Sequence, residues 1–419
     1  MSNQNINPFR PGAGHMPPYL AGRDNETKQF LELLNQQVIL SNLVLTGLRG
    51  VGKTVLLETF KPLALQKQWL WVGTDFSESA SVSEETLAQR LLADLAVATV
   101  GIKIQQKSRE LGFFPQIRIE EKALNYSLLI EIYKMSPGLV ADKIKAILEF
   151  VWCCVSPLNV KGIIFAYDET QTMSDHADKD QYPLSVLLDV FQSIQKKGIP
   201  FMLVLAGLPT LFPKLVATRT FSERMFNVMM LQKLSQDDSR KAIEIPIRNA
   251  HSKGKCSIFF DDKSISLIHQ TSGGYPYFIQ FICKEVFDIF LQQIALHGKP
   301  ASVPMAEIVQ KLDKNFFAGR WAKATDRQRE LLSVIATLDN CDDEFTVQDI
   351  VAASKQMASP FGSSHVNQML GALIEAGLVY KNRHGKYAFA VPLLGQFVLR
   401  EEASRTMPLL TNKPSPTGV

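Results

Sequence analysis

Apolar residues along the chain gather into short unbroken runs. Leu43-Val44-Leu45 before Thr46, Trp69–Val72, Gly162–Tyr167 (GIIFAY) and Pro200–Ala206 (PFMLVLA) carry almost no polar position. Runs without a polar face are expected of strands covered on both sides in a parallel sheet. Between them lie segments with apolar residues at every third or fourth position, such as Glu84–Val100, the spacing of amphipathic helices. Strands alternating with helices predict an α/β fold built on a doubly wound parallel sheet. Residues 101–127 (GIKIQQKSRELGFFPQIRIEEKALNYS) break this alternation and read as an insertion. Beyond Leu234 the pattern turns helical, in SQDDSRKAIEIPIRNA and then in SISLIHQTSGGYPYFIQFICKEVFDIFLQQ, which predicts a small all-α segment.

The last ordered stretch has its own rhythm. TDRQRELLSVIA predicts one helix, VQDIVAAS a second capped by Thr346, and SSHVNQMLGALIEA a third stopped by Gly377. Leu378–Phe389 then reads as two short strands around a basic tip. Three helices and a hairpin make a winged helix. The predicted organisation is an irregular arm at 1–18, an α/β domain at 19–234 with the insertion, a helical part at 235–317, a winged helix at 318–405 and a disordered tail at 406–419.

Composition narrows the class. The chain has 419 residues, 46% of them hydrophobic and 21% charged, which excludes wholesale disorder and a disulfide-built miniature, and roughly 150 residues per domain gives about three domains. Its net charge of +4 points to no particular partner. Five scattered cysteines (Cys153, Cys154, Cys256, Cys283 and Cys341) form no CxxC pair, as expected of reduced thiols. The longest apolar run, Ile199–Leu208, falls far short of the about 20 residues that span a bilayer. The amino terminus has no secretory pattern, so the expected location is cytoplasmic.

The chemistry is concentrated in two places. Gly47-Leu48-Arg49-Gly50-Val51-Gly52-Lys53-Thr54 satisfies G-x-x-x-x-G-K-[ST] between a predicted strand and a predicted helix. Such a loop curls backbone N–H groups around phosphates at a helix amino terminus; Lys53 can reach the outer phosphates, and the Thr54 hydroxyl can hold Mg²⁺. A nucleotide site also needs an acid at the carboxyl end of a buried strand. Asp168 and Glu169, which end GIIFAYDE, supply it. Asp168 suits metal support and Glu169 suits orientation of the attacking water, and the expected reaction is Mg²⁺-dependent ATP hydrolysis.

With these residues in place, the sequence resembles the AAA+ ATPases of the initiator-like and signal-transducing (STAND) branch, related to origin-recognition ATPases that end in a winged helix. The P-loop and the YDE segment carry the likeness, together with three further pieces. Leu20-Ala21-Gly22-Arg23-Asp24-Asn25-Glu26 resembles the GR-x-x-E box, which places Gly22 and Arg23 against adenine and ribose. Phe201–Thr210 resembles the strand that leads to the first sensor, and Ser272-Gly273-Gly274-Tyr275-Pro276-Tyr277 resembles the GG-x-P turn of the helical lid. The resemblance implies a nucleotide-binding set of Gly22, Arg23, Gly47, Gly50, Val51, Gly52, Lys53, Thr54, Val55 and Asp168. Thr54 and Asp168 are its metal ligands, and Lys53, Glu169 and Arg224 its catalytic groups. Arg224, in FSERMF, would act as an arginine finger on a neighbouring copy in a homo-oligomer, with Arg219 in reserve. A surface pairing of Arg224 with Glu223 or Asp237 stays open.

Two departures accompany the likeness. Ala206-Gly207-Leu208-Pro209 offers no polar sensor, with Thr210 slightly late, and no arginine stands beside Gly273-Gly274. Both fit slow hydrolysis and a switch-like nucleotide state. The long span from Lys53 to Asp168 implies an extra helical insertion within 100–160. For the winged helix two uses remain open. Lys381, Arg383 and Lys386 could rest on DNA phosphates while helix 363–376 enters a groove. Alternatively, a domain with eight Lys/Arg against ten Asp/Glu over 325–405 could dock a protein that carries an effector activity, as in a STAND-type switch in phage defence. The insertion, with Lys103, Lys107, Arg109, Arg118 and Lys122 near Phe113 and Phe114, is a second candidate surface or else a solvated helix.

Overall fold

The computed structural model describes residues 6–109, 117–253, 258–298, 303–383 and 385–406. They divide into two compact units, Arg10–Ile245 and Pro246–Val419 with Met1–Phe9.

The first unit is built on five parallel strands, β1 (Asn42–Thr46), β2 (Trp69–Val72), β5 (Gly162–Tyr167), β6 (Phe201–Gly207) and β7 (Phe226–Met230). They lie in the order β2-β5-β6-β1-β7. All four apolar runs of the sequence are strands, and β7 at the sheet edge adds a fifth. The helices are α1 (Asp24–Leu33), α2 (Lys53–Gln66), α3 (Glu84–Thr99), α4 (Tyr126–Met135), α5 (Val140–Val155), α6 (Pro183–Lys196), α7 (Leu211–Thr218) and α8 (Ser222–Met225). Alternate residues of each strand serve opposite layers. Ile163, Phe165 and Tyr167 pack with Leu91 of α3, Leu148 of α5 and Phe191 of α6. Ile164 and Ala166 pack with Phe30 of α1 and Phe60 of α2, whose rings stack 4.0 Å apart. Such two-sided burial is what the apolar runs required. Register places Thr46 beside Gly207, and Tyr167 beside Leu205. The ends of β1, β5 and β6 therefore share one edge of the sheet, where ligand sites of open α/β folds gather.

The insertion differs from its solvated-helix alternative. Lys103–Arg109 (β3) and Ile117–Ala123 (β4) pair antiparallel as a hairpin; alternating polar and β-branched residues such as Ile117-Arg118-Ile119 suit a strand better than a helix. Phe113 and Phe114 lie outside the described residues. α4 and α5 follow the hairpin and supply the extra helices expected between Lys53 and Asp168. Ile144, Ile147, Leu148, Val151 and Val155 give α5 its buried stripe.

In the second unit, α9 (Gln236–Ser252) crosses the division at Pro246, and α10 (Asp262–Ser272) and α11 (Pro276–His297) follow. Asp261 caps α10 through the Ser264 N–H at 2.8 Å, and Gly273, at φ +59°, ends it. α12 (Met305–Leu312) continues through a π turn into α13 (Ala318–Trp321). Then come α14 (Asp326–Ala336), α15 (Val347–Ala353), α16 (Ser363–Glu375), the antiparallel pair β8 (Val379–Arg383) and β9 (Lys386–Phe389), and α17 (Leu394–Thr406). Capping boxes start α14 at Thr325 and α15 at Thr346. Phe317 stacks on Phe397 of α17 at 5.1 Å, and the Arg400 fork grips Asp313 at 2.6 and 2.8 Å. Residues 6–9 belong to this unit, with Phe9 buried against Phe260. Cys153, Cys154, Cys283 and Cys341 are free thiols, whereas Cys256 and the tail beyond Thr406 lie outside the described residues. No helix among the described residues is long and apolar enough to cross a membrane.

Candidate nucleotide site

The loop Gly47–Gly52 leaves β1 and turns into α2. Gly52 stands at φ +98° as the residue before the helix, a left-handed conformation that a side chain would strain. A Cβ there would meet no atom within 4 Å, so the conformation, not crowding, asks for glycine. Val51 is buried, and Val55 lies half-buried on the first turn of α2.

Lys53, only 8% exposed, folds its ammonium back across this loop. Its Nζ donates to the Gly47 carbonyl at 2.9 Å and to that of Leu48 at 3.1 Å. Burial lowers its pKa from the usual lysine value; the carboxylates of Asp168 and Glu169 oppose that shift, and Arg49 adds to it. Arg49 was not singled out in the sequence. It brings a second cation to the loop, with a buried Nε that has no partner.

The two halves of the site meet at Thr54 and Asp168, 114 positions apart. The Thr54 hydroxyl donates to Asp168 Oδ2 at 2.5 Å, and Asp168 Oδ1 accepts from the Glu169 N–H at 2.7 Å. The buried Asp168 is fixed through its backbone as well: its N–H donates to the Thr74 carbonyl at 3.3 Å and its carbonyl accepts from the Phe76 N–H at 2.9 Å. Arg90 of α3 holds this backing segment by donating to the Thr74 hydroxyl. A hydroxyl and a carboxylate converging beside a lysine form an all-oxygen donor pair that fits Mg²⁺, which keeps several waters and takes one or two protein ligands. Glu169 is exposed at the tip of β5 in the left-handed region, at φ +54°.

Gly22 and Arg23 stand beside the P-loop, with the Arg23 guanidinium turned toward backbone. Its Nη2 donates to the carbonyls of Val51 at 3.0 Å and Gln232 at 2.9 Å, and its Nη1 to that of Gly22 at 3.2 Å. Burial lowers its pKa, while Glu26 and Asp238 oppose the shift. Arg23→Ala is therefore expected to destabilise this unit by about 2–4 kcal/mol, because the buried Val51 carbonyl and the part-buried Gln232 carbonyl lose a charged donor. Arg23→Lys should not restore it, since one ammonium cannot replace the planar fork. Thermal unfolding measures both, and full recovery by lysine would refute the bridging role.

The remaining candidates are more dispersed. Arg224 is exposed on α8 and forms an ion pair with neither Glu223 nor Asp237. Arg219, the reserve candidate, is engaged by Asp189 through both prongs, at 2.9 and 2.8 Å. In the second unit Lys381 is exposed and Lys386 half-buried. Arg383 is already held by Glu344 at 2.7 Å, with Asn382 donating to the same carboxylate at 2.5 Å. Lys381 lines a cavity of about 510 Å³ with Thr346, Ser363, Asn367 and Tyr387. His365, Asn367 and Gln368 face outward on α16. Among the insertion's basic residues, the side chains of Lys107, Arg109 and Arg118 lie outside the description.

Residues 19–216 match the AAA ATPase domain family, and residues 314–398 match a domain of unknown function (DUF8462). No curated protein matches in sequence. Among solved structures, a Walker-type ATPase of Pyrococcus abyssi is 14% identical with a TM-score of 0.55, over 91% of this chain and 96% of its own. The ADP form of the Aeropyrum pernix ORC2 protein is likewise 14% identical with a TM-score of 0.53, over 95% of this chain and 99% of its own. The ADPNP–ADP complexes of that protein give 0.50. At these identities the likeness shows the fold alone, the parallel α/β sheet with its flanking helices and the helical parts that follow.

Proposed function

From an AAA ATPase domain at residues 19–216, we propose that the chain binds ATP with Mg²⁺ and hydrolyses it, and couples its nucleotide state to assembly and to DNA contact by its carboxy-terminal part. The observation that carries the ATPase reading is the Thr54–Asp168 hydrogen bond at 2.5 Å beside the buried Lys53. The ORC2 relative, solved with ADP and ADPNP, supports a nucleotide as the ligand.

In this mechanism the Lys53 ammonium leaves the Gly47 and Leu48 carbonyls for phosphate oxygens, and the free N–H groups of the loop receive the rest of the chain of phosphates. Thr54 and Asp168 would hold Mg²⁺, which would supply charge neutralisation at the phosphates. Glu169 accepts a hydrogen bond from the attacking water and orients it. Arg224, exposed and unpaired with its acidic neighbours, reaches the nucleotide of an adjacent copy, where an arginine finger is worth roughly 10³–10⁵ in rate. The domains are 19–234 for the ATPase, 235–317 for the lid and 318–405 for a winged helix.

A second reading is favoured by one contact. Glu344 neutralises Arg383, which leaves the β8–β9 hairpin less charge for phosphates and suits a STAND-like switch that docks a protein partner. ATP hydrolysis with and without duplex DNA separates the two. Under the DNA reading, duplex DNA stimulates turnover and the effect fades as salt rises, and substituting Lys381, Arg383 and Lys386 together by alanine removes it. Turnover indifferent to DNA at low salt would overturn the DNA reading in favour of the protein-docking switch.

A further inference from the structure

The loop that follows β5 is fixed more thoroughly than a connection needs. Thr170 Oγ1 donates to the Ala206 carbonyl at 2.8 Å, and Thr172 Oγ1 to that of Glu169 at 3.0 Å. Lys214 of α7 donates its Nζ to the carbonyls of Gln171 at 2.8 Å and Met173 at 2.6 Å. These bonds set the backbone of residues 169–173. The exposed Glu169 carboxylate would still be free to swing on its own rotatable bonds.

Gln171 takes up that freedom. Its Nε2 donates to Glu169 Oε2 at 2.5 Å, and its Oε1 accepts from the Leu208 N–H at 3.1 Å. The amide can be oriented only one way: a backbone N–H must face the oxygen, and a carboxylate must face the NH₂. Room for it comes from Gly207, where a Cβ would stand 2.7 Å from Gln171 Oε1. The amide therefore spans from the acid at the tip of β5 to the tip of β6. That second tip, Ala206-Gly207-Leu208-Pro209, carries no polar side chain of its own.

We propose that Gln171 is a positioning residue for hydrolysis, tying the Glu169 carboxylate to the end of β6. It gives that end of the sheet, which has no polar sensor, a hold on the group that orients water. The proposal deepens the ATPase reading above and rests on it. Any displacement of the β6 end is felt at the Glu169 side chain through a single amide, and Lys214 keeps that amide's own backbone in place.

Two substitutions test it, each measured for kcat and for affinity with a fluorescent ATP analogue. Gln171→Leu keeps the size and loses both hydrogen bonds. Gln171→Glu keeps the size and the acceptor for Leu208 N–H, but loses the donor and turns a like charge toward Glu169. Both are expected to lower kcat about tenfold or more while affinity stays within about twofold, with Gln171→Glu at least as impaired. A purely structural glutamine predicts the opposite: Gln171→Glu hydrolyses at the parent rate, and any loss in Gln171→Leu follows lost affinity or folded fraction. That outcome, beside an inactive Glu169→Gln, overturns the tether alone. If the parent shows no turnover, or if Glu169→Gln retains it, the ATPase reading falls and takes the tether with it.

Discussion

Glu169→Gln is expected to bind ATP with an affinity within about threefold of the parent and to hydrolyse it at least about a hundredfold more slowly. The substitution keeps the shape of the side chain and changes its charge. Glu169 sits in the left-handed region, at φ +54°, a conformation that costs a non-glycine residue about 1–2 kcal/mol. Glutamine meets that same cost, so the folded state has no new strain to absorb. The Gln171 amide can still donate to an amide oxygen at position 169, which preserves the local arrangement. What disappears is the anion that draws a proton of the attacking water. General-base assistance of this kind contributes roughly 10²–10⁴ in rate, which sets the expected loss. The pair of measurements is steady-state phosphate release and titration with a fluorescent nucleotide. Turnover at the parent rate in Glu169→Gln would remove Glu169 from the chemistry and leave Asp168 without a catalytic neighbour.

The sequence exposed the frame of this site because its frame is local. Gly52 and Lys53 act through the turn that they themselves make, and the pattern of that turn is contiguous. GIIFAY and FMLVLA are apolar throughout because both faces of their strands are covered, and four of the five sheet strands could be found on that ground. The fifth, Phe226–Met230, is an edge strand whose Asn227, Val228 and Met230 are exposed. Its pattern falls below the threshold of an apolar run. The hairpin of β3 and β4 is harder still, since polar residues outnumber apolar ones in KIQQKSR and IRIEEKA and the alternation in each covers only a few positions.

What stayed hidden was what depends on partners distant in the chain. Gln171 is two positions from Glu169, but its role appears only when the Leu208 N–H, 37 positions on, arrives at its other end. The motif of Arg23 implies a nucleotide contact and gives no sign of the Val51 and Gln232 carbonyls to which its guanidinium donates. Arg219 and Arg383 were legible as cations and not as members of the ion pairs with Asp189 and Glu344. An exposed arginine and a paired one have the same letter, and only the fold distinguishes them.

Lys53→Ala is the substitution expected to separate binding from folding most sharply. The ammonium has two acceptors within its own loop, Gly47 at 2.9 Å and Leu48 at 3.1 Å, so it is neither idle nor free. Burial lowers its pKa, which means that keeping it charged there costs the fold something that those carbonyls and the nearby carboxylates offset. Removing the side chain therefore ends a cost and a benefit together, and stability should move by about 1 kcal/mol or less, a shift of about 2–4 °C for a unit of this size. Binding is different. A phosphate oxygen carries full charge where a carbonyl carries only a dipole, and charged hydrogen bonds are worth roughly 1.5–3 kcal/mol each. Two of them lost correspond to about a hundredfold or more in affinity. Thermal unfolding without nucleotide and titration with it give the two quantities independently. The outcome that would sink this assignment is a Lys53→Ala protein that unfolds far below the parent and yet, where folded, holds ATP as tightly. The lysine would then be a structural brace of the loop, and phosphate recognition would rest on the loop N–H groups and Arg49.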